Sequence, residues 1–578
     1  MTSLSPFQTL PMLIVEKVVE YLEGRSTNLR DSNLDKHNRN MKVLRPFLRV
    51  SEYWRAAALA SICDNCEIRF DDSPKGYSVR YHALPAGFPF PQHRGETLVK
   101  LVFVRAPSMC DIYGRKFRTR SWLELDFPIF PSATKLIVYQ TEDEPKSIFD
   151  GWPVRNAEPV DRNKAMVDFA RSLRQLTPVA TGVVMSFFFL GSTNKTDKKN
   201  KGLCNILVSE LCRGKVARIC VESRTGPALP SFKLNAISGL TCIKQGANMV
   251  SAPFVHLAYG NARTLRELSI RLEVEADWRT LIYGGTTAPA VYSSLASLTI
   301  KIVEIPYGTS WAAIEDAGPF PVLRKLDVTG EYPFEDGLFF SGNGSTLQDL
   351  NIPYGAVKKN IFGRFGVLER SGVTQMSSIS LGPEGNEYED RDFVAGLAND
   401  YIGGQARRMA EVATTLCLEY YTADTQVYNA ILMARRTAII QHLELRAFLL
   451  DAIHIIDIIK GLPSLVSLAF SIKGSVPNIE AIPASRHPSA LRAKYHCLNN
   501  KFRKLVVLDD FVSNDDRDGM AREIAVVAVQ IAVLCPNFTH VDLARDLRSV
   551  FSREIAWATV NPPFLPFVSS LRRLIYTN

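Results

Sequence analysis

The residues of this chain that could support chemistry are few and poorly grouped. Cys63 and Cys66 form a CxxC pair. A zinc site would need a second CxxC or a histidine pair downstream, and a redox site would need a thioredoxin-like strand–helix–strand context. Neither follows the pair in the sequence. We therefore expect both cysteines to pack near the start of the first strand, and the sequence predicts no metal site.

Other motifs of catalysis and cofactor binding are also missing from the sequence. The glycine-containing segments 342–344 and 382–385 lack the strand-to-helix setting of a dinucleotide site, and no P-loop, kinase set or Gly-x-Ser-x-Gly elbow occurs. The acidic run 142–144 stands beside Pro145, as in a solvated loop, and the nine histidines are dispersed. These observations favour a chain with no enzymatic activity and no cofactor. An enzyme whose site follows no recognised motif stays an alternative.

The composition is that of a globular protein, with 46% hydrophobic and 22% charged residues in 578 positions. The net charge of +9 is a mild excess, and the densest basic run, 194–201, contains no aromatic residue. We interpret that run as a solvated loop and expect no nucleic-acid partner. The most apolar segment, 179–190, is shorter than the roughly 20 residues that cross a bilayer, which favours a buried strand. With no secretory signal, we expect a cytoplasmic and/or nuclear protein without a membrane partner, whose cysteines are mostly core residues.

Two helical segments are predicted near the N-terminus. In residues 10–22 the apolar side chains recur at helical spacing, with a proline at the helix start and Gly24 as the stop signal. Residues 24–42 are polar and read as a loop. Order returns at 43–58, where Ser51 is a good N-cap for a helix that carries Trp54.

Together these segments resemble an F-box, in which a Leu-Pro pair and aliphatic pairs precede a Val-Ser-x-x-Trp-Arg sequence. The matching positions are Leu10, Pro11, Ile14, Val15, Val18, Leu22, Leu48, Val50, Ser51, Trp54 and Arg55. The resemblance implies that residues 1–62 form a three-helix module in which these residues, Ser51 excepted, serve as contacts for a Skp-type adaptor protein and, through it, a cullin–RING ubiquitin ligase. The match departs from the family in its polar insertion at 24–42, which loop-closure entropy tolerates. The alternative is that these helices only cap the repeats that follow.

A short pattern recurs along the rest of the chain: Leu, two residues, Leu, one residue, then an aliphatic residue. Clear copies start at Leu265, Leu295, Leu323, Leu347, Ile440, Leu465, Phe502 and Leu571, and looser ones at Leu98, Thr134, Met376 and Phe538. Residues 416–420 are predicted to add a strand in the widest gap. This resembles a degenerate form of leucine-rich repeats, with one short parallel strand per repeat. The fold class predicted is α/β: an irregular leucine-rich-repeat solenoid over 63–260 and 261–578, with a curved parallel sheet and outer helices.

Helices are predicted to return the chain between strands at 161–176, 404–415, 425–440 and 520–534. The last of these segments is nearly all apolar. We interpret it first as a buried helix, although its β-branched residues keep a strand as the alternative.

The alternation of side chains along each strand predicts which residues face away from the core. With the leucines inward, their neighbours line a concave surface of mixed charge, and such surfaces bind partners in solenoids. The candidate target contacts are Glu267, Ser269, Arg271, Lys325, Asp327, Thr329, Asp349, Asn351, His442, Glu444 and Arg446. The predicted function is that of an F-box-like adaptor that links a protein target on this surface to a ubiquitin ligase. The alternative is a protein-binding scaffold with the same architecture and no ligase link.

Overall fold

The computed structural model describes part of the chain. The described residues are 54–55, 58, 65–70, 77–80, 98–103, 129–140, 162–187, 206–214, 216–223, 237–246, 249–303, 318–330, 333, 346–353, 373–382, 405–419, 431–432, 438–446, 452–471, 488–495, 498–508, 517–543, 551–553, 555–556 and 562–567. The predicted helix at 10–22, the polar segments 24–42 and 194–201, the strand at 571–576 and most of the helix at 425–440 lie outside these residues. So do Leu10, Pro11, Ile14, Val15, Val18, Leu22, Leu48, Val50, Ser51 and Cys63.

The chain divides into two compact units, and the first contains residues 1–271 and 276–290. Its strands are β1 (Asn65–Phe70), β2 (Tyr77–Arg80), β3 (Leu98–Phe103), β4 (Lys135–Gln140), β5 (Gly182–Phe187), β6 (Arg218–Ser223), β7 (Cys242–Gln245) and β8 (Glu267–Leu272). Its helices are α1 (Arg162–Leu176), α2 (Ala252–Gly260) and α3 (Glu275–Tyr283). From β3 to β8 each strand pairs in parallel with the next one in the chain. At the start, β1 pairs in parallel with β3 and antiparallel with β2.

The second unit contains residues 272–275 and 291–578. Its strands are β9 (Ser297–Ile302), β10 (Lys325–Thr329), β11 (Asp349–Pro353), β12 (Met376–Gly382), β13 (Ala413–Glu419), β14 (His442–Arg446), β15 (Ser467–Ser471), β16 (Lys504–Leu508) and β17 (His540–Asp542). Its helices are α4 (Ala452–Gly461), α5 (Pro488–Tyr495) and α6 (Arg517–Leu534). All nine strands pair in parallel and in chain order. The prediction of an α/β chain with a parallel sheet is therefore confirmed, and the strand order is compatible with a solenoid.

The recurring leucines point from each strand into the hydrophobic core. In the second unit they pair with one another across the sheet and are at most 1% exposed: Leu298, Leu326, Leu350, Leu443, Leu468 and Leu505. The aliphatic residue two positions later, such as Ile300 or Val328, is buried in the same way. Burial of each such side chain contributes about 1.5–3 kcal/mol of transfer free energy. The repeat pattern therefore encodes the ladder of core contacts that keeps successive strands in register.

The same pattern of backbone hydrogen bonds holds the residue that precedes most strands. The carbonyl oxygen of the residue before one strand accepts two backbone N–H groups from the next repeat. Gln441 accepts from Val466 and Ser467, and Val466 in turn accepts from Arg503 and Lys504, at 2.7–3.1 Å. The same geometry recurs in the first unit, where the Thr241 oxygen accepts two N–H groups from the following repeat. Because both lone pairs of the carbonyl are used, the turn before each strand is held in one position.

Most predicted elements within the described residues are confirmed. The helix at 161–176 is α1, the apolar helix at 520–534 is α6, the segment 179–190 contains β5, and 416–420 falls largely in β13. The helix predicted over 404–415 is wrong at its end, because the helical turns stop at Val412 and β13 begins at Ala413. The β-branched run that ends this segment favours the strand. None of the helices in the described part of the chain is long and apolar enough to cross a membrane.

Candidate functional site

The outward side chains of the second unit form two rows that run across its strands, here called the polar face. The first row consists of Ser297, Lys325, Asp349, Ser378, Thr415, His442, Ser467, Lys504 and His540; the second consists of Thr299, Asp327, Asn351, Ser380, Cys417, Glu444, Ala469, Val506 and Asp542. All of them are half-buried or exposed. At about 4.8 Å per strand, each row extends over roughly 38 Å.

Hydrogen bonds and ion pairs between neighbouring strands order the carboxylates of the polar face. The Asn351 amide donates to Asp327 Oδ1 at 2.8 Å, and the Ser378 hydroxyl donates to Asp349 Oδ1 at 2.7 Å. Lys504 Nζ lies 3.5 Å from Asp542 Oδ2. A carboxylate offers about four acceptor positions. Each therefore keeps capacity for donors from a partner while its position is fixed.

The predicted contacts that fall in the second unit lie together on this face. Lys325, Asp349 and His442 belong to the first row. Asp327, Asn351 and Glu444 belong to the second row. Thr329 and Arg446 follow one outward position further along their strands. The Arg446 guanidinium donates to Glu444 at 2.5 Å. The sequence pattern missed the rest of the polar face, notably Ser378, Thr415, Lys504 and Asp542, although the same alternation could have identified these residues.

One pair on the polar face has the composition of a nucleophile and a base. His442 Nδ1 lies 2.7 Å from Ser467 Oγ, across β14 and β15. A hydrolytic triad also needs a carboxylate that orients the imidazole through its other nitrogen. No described residue supplies this contact to His442.

Part of the outward side of β4 to β7 in the first unit is buried and apolar. Ile137, Val184, Cys220 and Cys242 form a cluster of buried side chains there, each at most 9% exposed. Ser269 on β8 is only 6% exposed, so the prediction that it faces solvent is wrong, whereas Glu267 and Arg271 are half-buried. The uninterrupted apolar run in β5 is the signal for this difference, because strands buried on both faces lose the alternation of polar residues.

A charged cluster lies on the same side, on β6, β7 and β8. Lys244 Nζ is 2.5 Å from Glu267 Oε1, and Arg218 is 3.7 Å from Glu267 Oε2. Partial burial by itself would raise the pKa of Glu267. The hydrogen bond and charge of Lys244, with smaller effects of Cys242 and Arg218, outweigh burial and hold that pKa below its usual value. Because the Lys244 side chain is 7% exposed, the cluster mainly neutralises a buried cation.

Two buried thiols of the first unit, Cys212 and Cys242, have raised pKa values. Burial, followed by the negative charge of Glu267, raises the pKa of Cys242 to about 12, and its Sγ donates to Glu267 Oε2 at 3.4 Å. Burial also raises the pKa of Cys212 to about 12. Such thiols are poor nucleophiles. Among the described residues, no group of three or more His, Cys, Asp or Glu side chains could hold a metal ion, and Cys66 of the CxxC pair is a buried residue of β1.

Two of the residues that match the F-box pattern are described. Trp54 is helical and 4% exposed, whereas Arg55 is exposed. The tryptophan is therefore packed inside the chain, whereas the arginine is accessible to solvent. No known protein-family model matches the chain, and no curated protein is significantly similar to it in sequence.

Proposed function

We propose that this protein is a non-enzymatic adaptor, present in the cytoplasm and/or nucleus, whose leucine-rich-repeat-like second unit binds a protein target. The observation that carries this proposal is the polar face, in which nine strands align two rows of mostly polar side chains, several of them linked by hydrogen bonds or ion pairs. Its roughly 38 Å extent exceeds the size of a small-molecule pocket. Extended faces of this kind are used for protein recognition in repeat proteins.

The link to ubiquitin ligation rests on the F-box resemblance of residues 1–62. The N-terminal segment would recruit a Skp-type adaptor and a cullin complex, and the polar face would present the target. Exposed Arg55 is consistent with a contact, and buried Trp54 with a positioning role. A scaffold without the ligase link is the alternative, and the first of two experiments separates these functions.

The first experiment is capture of a recombinant Skp-type adaptor by the full chain. Leu10→Asp combined with Ile14→Asp places charges on the predicted apolar face of the first helix and should abolish capture. Lys17→Glu, on the polar side of that helix, is the matched control and should leave capture unchanged. If the unaltered chain captures no adaptor, or the double variant still does, the ligase link is wrong and the scaffold function is left.

The second experiment tests the polar face. Asp327→Lys combined with Asp349→Lys reverses two ordered carboxylates and should remove the proteins that are crosslinked to the unaltered chain in cells. The control is Lys460→Glu, an exposed residue of α4, which should retain them. Crosslinked proteins that do not respond to the double reversal would contradict target binding at this face.

A further inference from the structure

A groove of about 520 Å³ lies at the edge where strands β14 to β17 begin. The turns that precede these four strands each supply part of its wall. The lining residues are Gln441, Ser464, Val466, Asn500, Lys501, Arg503 and Asn537. The groove adjoins the polar face, whose first row starts one residue later on β14 to β16 and three residues after Asn537 on β17.

The groove carries two positive charges and no carboxylate among its lining residues. Lys501 and Arg503 are exposed. Among the described residues, neither side chain has an ion-pair partner. The neighbouring Lys504 differs, since Asp542 on β17 lies 3.5 Å from its Nζ. The two cations of the groove are thus available to an anionic ligand.

The backbone that carries these cations is held rigidly. Asn499 is 4% exposed, and its amide donates to the carbonyl oxygens of Leu462 and Leu465 at 2.9 and 3.1 Å. Its own side-chain oxygen accepts the Lys501 N–H at 2.7 Å. A fixed wall lowers the conformational entropy lost on binding.

The remaining polar side chains suit a peptide backbone. Gln441 and Asn500 are exposed amides, and each can both donate to a peptide carbonyl and accept from a peptide N–H. The Asn537 amide donates to the Asn500 carbonyl, which fixes the far end of the groove. Four neighbouring strands are separated by three spacings of about 4.8 Å, so the groove spans roughly 14 Å. This is the length of about four extended residues.

We propose that this groove binds an acidic peptide segment of about four extended residues, whose Asp or Glu carboxylates pair with Lys501 and Arg503. The peptide backbone hydrogen-bonds to Gln441 and Asn500. This site goes beyond the proposed adaptor function, because it does not require the F-box-like segment or the polar face. The groove is then a second binding surface, and it selects negatively charged ligands.

The test is fluorescence anisotropy with the full chain and a labelled peptide of four alternating Asp and Glu residues between Gly-Ser flanks. Lys501→Ala and Arg503→Ala should each weaken binding about tenfold, because each removes a hydrogen bond between charged groups. The matched control, Lys460→Ala on α4, should bind within twofold of the unaltered chain. Raising the salt from about 50 to about 300 mM should also weaken binding.

Several outcomes would overturn the proposal. These are equal binding of the Asn/Gln version of the peptide, unchanged binding by the Lys501→Ala/Arg503→Ala double variant, or no binding to the unaltered chain. Tighter binding of a phosphoserine peptide or a single-stranded oligonucleotide at the same residues would assign the groove to another ligand. The Asp327→Lys/Asp349→Lys variant should bind the peptide normally, so a failure of the polar face and a failure of the groove can be told apart.

Discussion

The ion pair between Lys244 and Glu267 provides a quantitative test of how the first unit is held together. Removing one member of a buried pair costs about 3–5 kcal/mol. The lysine side chain is 7% exposed, but the glutamate is 30% exposed, so water can hydrate part of the site after the change. We therefore expect Glu267→Gln to lower the free energy of opening by about 2 kcal/mol, below the fully buried range.

The reverse change should be milder. Lys244→Met leaves a half-exposed carboxylate that still has Arg218 at 3.7 Å, and we expect a loss of about 1 kcal/mol. The double variant contains no unpaired buried charge and should resemble Lys244→Met alone. The coupling energy between the two positions is then about 2 kcal/mol, within the range for residues in direct contact.

Hydrogen exchange of the full chain, read by mass spectrometry, is the suitable measurement because it resolves local opening. A single unfolding transition would not, since two compact units need not unfold together. Peptides from β7 and β8 should lose protection in Glu267→Gln, while peptides from β14 to β16 should not change. Additive effects of the two substitutions, with a coupling energy below about 0.5 kcal/mol, would refute the idea that Glu267 neutralises a buried cation.

The pH dependence of stability provides a second test of the role of Glu267. The pKa of Glu267 is depressed in the folded chain, from an ordinary value of 4.5. Its contribution to stability is therefore present above that value and is lost as the pH falls through the folded pKa. In Glu267→Gln, the part of the acid-induced loss of protection that belongs to β7 and β8 should disappear.

Three further predictions concern a turn, a buried amide and the thiols. Gly330 has φ +91°, and a Cβ there would lie 2.1 Å from the Ile302 carbonyl oxygen. Gly330→Ala should therefore lower the opening free energy of β9 and β10 by about 2–4 kcal/mol. Unchanged hydrogen exchange of these strands would contradict this prediction. Asn499→Ala removes two donated and one accepted hydrogen bond at a buried position. It should destabilise β15 and β16 by about 2–4 kcal/mol in the same assay. An effect below about 1 kcal/mol would be evidence against this structural role of Asn499. Burial raises the pKa of Cys212 and Cys242 from 9.0 to about 12, so stability should fall above pH 9 by about 1.4 kcal/mol per pH unit for each thiol. Hydrogen exchange of peptides that contain these positions should show a flatter alkaline slope in the Cys212→Ala/Cys242→Ala variant, and an identical slope would disprove the assignment.

The strands could be predicted from the sequence because their signal is local. In a segment such as Leu323 to Val328, the spacing of three apolar residues fixes both the strand and its buried side, and Leu326 and Val328 are indeed at most 1% exposed. The same period also fixes which residues face outward. For this reason the contacts predicted in the second unit, such as Asp327 and Asn351, lie on one face and in hydrogen-bonding distance.

The pairings between repeats could not be predicted, because they depend on register across long connections. Lys244 and Glu267 meet only because Cys242 stands opposite Glu267 in the ladder of β7 and β8. The apolar cluster of the first unit, which includes Ile137 and Val184, likewise draws its members from separate strands. The groove before β14 to β17 is built from turn residues, which the strand pattern leaves undefined.

The two units should therefore respond differently to the same kind of change on the outward side of their strands. In the second unit, outward side chains such as Lys325 are exposed, and substitutions there alter a surface with small effects on stability, usually within about 0.5 kcal/mol. In the first unit, Val184 and Cys220 are at most 7% exposed, so a charge placed there would be buried without a partner. A binding surface must tolerate exchange of its side chains while the fold persists, and the described outward side chains of the second unit meet that condition. This physical asymmetry supports the proposal that the polar face binds the target.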